Sequence, residues 1–193
     1  MLACVPEFAI VAVPQDSLDD LEPLWRALYE HHQALTPHLR NRERAFEQAW
    51  PIRRRIEREW LVAEPQSFVL AAHDSDRYVG YAFVRVRSAA TYAASWRTSD
   101  PLADLATLAI LPELRRRGVG LALLEAVEAR LHDLGIEDMA IDVITTNTDA
   151  IGFYERRGAV PFVTTLIYRV PDHRHADDAS MIGRDPSIRR PHA

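Results

Sequence analysis

Apolar residues along this chain recur with two periods, and the switches between them divide it into strands and helices. Phe8–Val13 predicts a short strand ended by Pro14, and Leu21, Leu24, Trp25, Leu28 and Leu35 at mostly helical spacing predict a first helix over residues 18–35. Residues 40–61 are again helical in composition, but Pro51 predicts a break or a kink there. Ser67–His73 and Tyr78–Arg87 read as two antiparallel strands joined by the tight loop Asp74–Arg77. The second sets Tyr81, Phe83, Arg85 and Arg87 against Ala82, Val84 and Val86, so one of its faces is the more polar. After a loop at residues 88–101 come a strand near 102–111, a helix near 119–134 closed by Gly135, and a strand at 139–144. A helix at 147–157 with Gly158 just beyond it, and a last strand at 161–170, complete the pattern.

This order predicts an α/β (α+β) fold with a mixed, mostly antiparallel sheet flanked by helices. At 193 residues the chain fits one domain, placed at residues 1–170, and the apolar-poor stretch 171–193 reads as a flexible tail. Hydrophobic residues at 48% and charged residues at 26% exclude global disorder and a membrane class. With no basic n-region before Glu7, a cytoplasmic protein is expected. Cys4 is the only cysteine, which excludes an internal disulfide and a cysteine-cluster metal site. The net charge of −5 argues against nonspecific nucleic-acid binding.

The stretch Leu105–Leu111, then Pro112-Glu113-Leu114-Arg115-Arg116-Arg117-Gly118-Val119-Gly120, runs from a strand through a basic turn into the helix that starts near Val119. Backbone N–H groups and a helix N-terminus converge on such a turn, which makes it a phosphate site. A nucleoside-triphosphatase loop needs Lys and then Ser or Thr after its last glycine, and Leu121-Ala122 stand there. A dinucleotide fingerprint needs a small residue at Leu123. Arg115-x-x-Gly118-x-Gly120 remains. It resembles the coenzyme A signature of the GCN5-related N-acetyltransferase (GNAT) superfamily. Downstream, Asn147-Thr148-Asp149-Ala150-Ile151-Gly152-Phe153-Tyr154 through Gly158 is similar to the later motif of that family. An N-cap at Asn147 and a helix packed through Phe153 and Tyr154 would explain the same residues structurally.

The resemblance implies a GNAT fold with parallel, splayed fourth and fifth strands, and acetyl-CoA as the acyl donor without a metal. It implies a pyrophosphate site at Arg115, Arg116, Arg117, Gly118, Val119 and Gly120, and pantetheine contacts along Leu108, Ala109 and Ile110. Asn147 and Tyr154 join the donor site, and Tyr154 is the implied acid toward the coenzyme A sulfur, against a reading as a buried structural tyrosine. Asp104 stands where some members carry a catalytic base, and equally reads as a polar residue at the strand entrance. Transfer to a primary amine of a small molecule or peptide is expected, with an acyl-CoA sensor as the alternative and a homodimer as the family's common state. Tyr29, His31, His32 and His38 fall on the acceptor side, and Tyr92 and Trp96 flank the acceptor entrance or cover the core. His31 and His32 point to different helix faces and do not share a metal. Arg53, Arg54, Arg55 and Arg58 read as a solvated helix face.

Overall fold

The computed structural model describes residues 8–90 and 95–168. Five strands, β1 (Ala9–Ala12), β2 (Phe68–Asp74), β3 (Arg77–Arg87), β4 (Leu102–Ile110) and β5 (Met139–Ile141), form one sheet in chain order. The first four pair antiparallel, and β5 lies parallel to β4. The mixed sheet expected from the element order is present.

Helices cover both faces. On one side lie α1 (Glu22–Leu35), entered through a 3-10 turn at Gln15–Leu21, and α2 (Phe46–Ala63). Leu18, Leu21, Leu24, Phe46 and Trp50 pack there against Val69, Ala71, Tyr81 and Phe83. On the other side α3 (Val119–Asp133) buries Leu124, Val127 and Leu131 on Ala82, Val84, Ala103 and Leu105. The helix α4 (Thr148–Glu155) follows β5, and Phe153 and Tyr154 rest on that second core.

Several boundaries differ from the sequence expectation. Pro51 does not break α2. It removes one N–H, while Phe46 and Trp50 bury their rings on the core side and carry the helix through. β5 is three residues long instead of six, and residues 159–168 form no strand. A strand needs a partner edge, and this segment is exposed throughout, with Leu166 at 87%. The helix stops are as read: Gly135 and Gly158 adopt positive φ, and Ile136 donates back to Leu131 O across the end of α3. Expectations for residues 1–7, 91–94 (Tyr92 among them) and 169–193 lie outside the described residues.

Candidate active site

β4 and β5 pair only from Ala103–Met139 to Leu105–Ile141, and beyond Leu105 the two strands part. The direction of each β4 backbone group follows from its ladder. Ala103 N–H donates to Asp138 O, so residues 103 and 105 face β5. Past a register shift opposite Phe83 and Val84, Leu111 N–H donates to Val79 O. Antiparallel alternation then turns Thr107 and Ala109 toward β3 and leaves the N–H and C=O of Leu108 and Ile110 facing the gap. Ala109, expected to act with its two neighbours, bonds into the sheet and buries its methyl group.

At the end of β4 the chain turns through Pro112–Leu114 into α3. Arg116 (φ +62°) and Gly118 (φ +87°) are left-handed, which curls the successive N–H groups of Arg117, Gly118, Val119 and Gly120 toward one point. The first intrahelical bond is donated by Ala122 to Gly118 O, so the N–H groups before it are free of the helix ladder. A Cβ on Gly120 would meet Ile110 Cδ1 at 3.2 Å, so glycine lets the turn close on the strand. Arg115 Nε donates to Ile110 O at 3.3 Å, while Arg116 pairs with Asp149 at 3.6 Å on the surface. Asn147 Oδ1 accepts from Ala150 N–H and caps α4.

Tyr154 lies half-buried beside Phe153, and burial pushes its hydroxyl up to about 12. It is therefore protonated at neutral pH and able to donate. At the mouth of the gap the end of α1 is tied to the loop before α4 by Thr146 Oγ1, which donates to Leu35 O. His32 there is lowered to about 4 by burial, His31 and Arg115. His31 is lowered too, by burial and then Arg115, against Asp149. Both rings are neutral near pH 7, and among the described residues no cluster of three His, Cys, Asp or Glu could hold a metal. His32, with Trp25, Leu28, Tyr29, Gln33 and Glu43, lines a cleft of about 210 Å³. His38 is exposed, and Trp96 stacks edge-on against Phe162 on the surface.

Asp104 is occupied by other partners. Its carboxylate accepts from Arg87 Nε at 2.9 Å and faces Arg85 Nη1 at 4.0 Å, and Arg85 also binds Glu64. Its Oδ2 is thus engaged in an ion pair across the sheet.

The packing of four polar residues, the half-buried Arg53 and the buried Glu57, Tyr81 and Thr107, departs from the sequence reading. Arg53 departs from the solvated face expected for it with Arg54, Arg55 and Arg58. Those three do form surface pairs with Asp19 and Glu59, but Arg53 turns inward. Its Nε donates to Glu57 Oε1 at 2.7 Å, and its Nη2 donates to Thr107 Oγ1 at 2.6 Å. Glu57 is 0% exposed, its carboxyl is raised by burial against the opposing pull of Arg53, and its Oε2 has no hydrogen-bond partner among the described residues; the Tyr81 hydroxyl is buried nearby. A signal was available: Phe46, Trp50, Arg53, Glu57 and Trp60 share helical spacing, so two charges hold core-face positions.

A sheet opened between two parallel strands, with a glycine turn and a helix N-terminus at the opening, defines an α/β fold built to take an extended, phosphate-bearing ligand. The chain belongs to the acetyltransferase (GNAT) family, whose sequence model matches residues 25–159. It is 25% identical over 163 residues to a mycothiol acetyltransferase of Propionibacterium freudenreichii subsp. shermanii, covering 84% of this chain and 46% of that protein. It is 30% identical over 88 residues to the [ribosomal protein bS18]-alanine N-acetyltransferase of Escherichia coli K12, covering 46% of this chain and 59% of that one. The chain thus spans about half the length of the curated relatives it matches. Among solved structures, aminoglycoside N-acetyltransferase AAC(6')-Iy in complex with CoA superposes with a TM-score of 0.60 at 19% identity, over 85% of this chain and 100% of that chain. The fold expected from the motifs is the fold found.

Proposed function

We propose that this protein transfers an acetyl group from acetyl-CoA to a primary amine by direct attack. The observation that carries this reading is the gap itself: Leu108 and Ile110 turn backbone groups toward it along β4, with Ile110 O accepting from Arg115 Nε, and the strand leads directly into the Arg115–Gly120 turn. An extended pantetheine arm can bond to that edge as an added strand, with the pyrophosphate on the N–H groups before α3. The residues fit the group, since the free donors, the positive helix end and the basic side chains all suit an anion. Acetyl-CoA supplies an activated thioester.

The backbone N–H of Ile110 is placed to donate to the thioester oxygen as charge develops there. The acceptor nitrogen forms its bond to the carbonyl carbon as the C–S bond breaks. One proton leaves the nitrogen, and the departing sulfur takes one from Tyr154, which regains it through water. With Asp104 engaged by Arg87 and Arg85, we assign the first proton transfer to water at the gap rather than to that carboxylate. The cleft beside His32 is smaller than a drug-sized site and suits an amine-bearing fragment, packed against the Trp25 and Tyr29 side chains that line it. The named relatives act on a ribosomal-protein alanine or on an aminoglycoside, so both peptide and small-molecule amines belong in the test. The full chain is mixed with acetyl-CoA and an amine panel, and free thiol is followed. Amine-dependent release supports the enzyme; coenzyme A binding without release for any amine marks an acyl-CoA sensor.

A further inference from the structure

The bulge in β4 is held from outside the strand. Ala103 N–H faces β5, and uninterrupted period-two alternation from that point would send the Thr107 and Ala109 backbones into the gap. One extra residue at Ala106, between the pairs Phe83–Thr107 and Val84–Leu105, reverses this phase and gives Leu108 and Ile110 to the gap instead. A bulge leaves its extra residue without a regular ladder partner. Here the Ala106 carbonyl accepts from Thr107 Oγ1 at 2.8 Å within the strand and from Arg53 Nη2 at 3.4 Å, and that nitrogen also donates to Thr107 Oγ1 at 2.6 Å. The guanidinium is oriented in turn by Glu57 and lies 5.2 Å from the Trp60 ring. Arg85 does not duplicate it, because Glu64 and Asp104 engage that guanidinium.

We propose that Arg53, oriented by Glu57, is a positioning residue that fixes the phase of β4 and so aims the Leu108 and Ile110 backbone groups at the acyl donor. The inference rests on reading the gap as the acyl-CoA site. A buried ion pair serving stability alone would need no third partner, yet this fork ends on the two residues at the bulge. A planar fork can hold Oε1 of Glu57 and the strand together, whereas an ammonium cannot span both.

The test compares wild type, Arg53→Lys, Thr107→Val and Glu57→Gln in the full chain by residue-resolved amide hydrogen exchange without ligand, and by kcat/KM for acetyl-CoA. Free wild type should protect the Thr107 and Ala109 amides and expose those of Leu108 and Ile110. In Arg53→Lys this contrast should collapse while β2 and β3 stay protected, and kcat/KM should fall at least about tenfold. Thr107→Val, which also removes the Thr107 Oγ1–Ala106 O bond, should shift both readouts the same way; Glu57→Gln, which leaves that bond in place, should shift them by less and decides if the lysine variant does not fold. Wild-type contrast retained in the folded variants would overturn the proposal, as would its absence in wild type. If wild type releases no thiol with any amine, the functional reading fails, and the ligand-free exchange pattern still decides the role of Arg53.

Discussion

The two faces of the sheet are built from different materials. Under α3 the buried core among the described residues is apolar: Ala82, Val84, Ala103 and Leu105 meet Leu124, Val127 and Leu131. Under α1 and α2 the rings of Phe46, Trp50 and Phe83 share the interior with Arg53, Glu57, Tyr81 and Thr107, and the Arg85–Asp104–Arg87 set lies along the same side. Apolar packing holds α3 against the sheet, and with it the turn that ends at Gly120, without dictating any one backbone phase. Buried hydrogen bonds are directional, and their cost when broken makes one geometry much better than its neighbours. The α3 face therefore sets where the site is, and the α1/α2 face sets how the β4 backbone is presented.

Substitutions can break or sharpen that contrast. Tyr154→Phe should lower kcat about a hundredfold or more and leave acetyl-CoA binding within about threefold, measured by steady-state kinetics and calorimetry; equal losses would end its role as acid. Leu124→Ala, on the apolar face, should cost roughly 2–5 kcal/mol in chemical denaturation while the folded fraction keeps its turnover. A large kcat loss in that folded fraction would show that the α3 face also tunes the chemistry.

Smaller effects are expected from charges at the edge of the polar face. Asp104→Asn should keep kcat within about threefold and cost about 1 kcal/mol, because it weakens pairing with Arg87 without removing a proton acceptor. A hundredfold fall in kcat would restore Asp104 as the base. His32 is held near 4 in the folded chain against an ordinary value of 6.5, so the unfolded chain binds the extra proton first on acidification. Stability is therefore full above about pH 6.5 and falls as pH drops toward 4. His32→Gln should flatten this decline by about 3 °C in Tm, after allowance for solvent screening of a partly exposed ring.

Much of this architecture is legible in the sequence where a local rule governs it. The αL positions Gly118, Gly135 and Gly158, the Asn147 cap and the β2–β3 pairing all depend on residues close together in the chain. The missed features depend on tertiary partners. Whether Arg53 faces water or Thr107 is decided by a strand 54 residues away. The Arg87 partner of Asp104 likewise lies 17 residues back, across the sheet, where no local rule reports it. The expected strand at 161–170 had the right residue types, but β5, at three residues, gives it little edge to pair with.

The open edge of β4 and the glycine turn together make up the proposed acyl-donor site. Calorimetric titration of coenzyme A into the full chain and into Gly118→Val tests it most directly. Gly118 sits at φ +87° with nothing within 4 Å of an added Cβ, so the substitution disturbs the turn through backbone strain and not through a clash. Wild type should bind coenzyme A one-to-one, and the variant at least about tenfold more weakly. No measurable binding to wild type, or equal affinity for a variant that folds as wild type does, would contradict it.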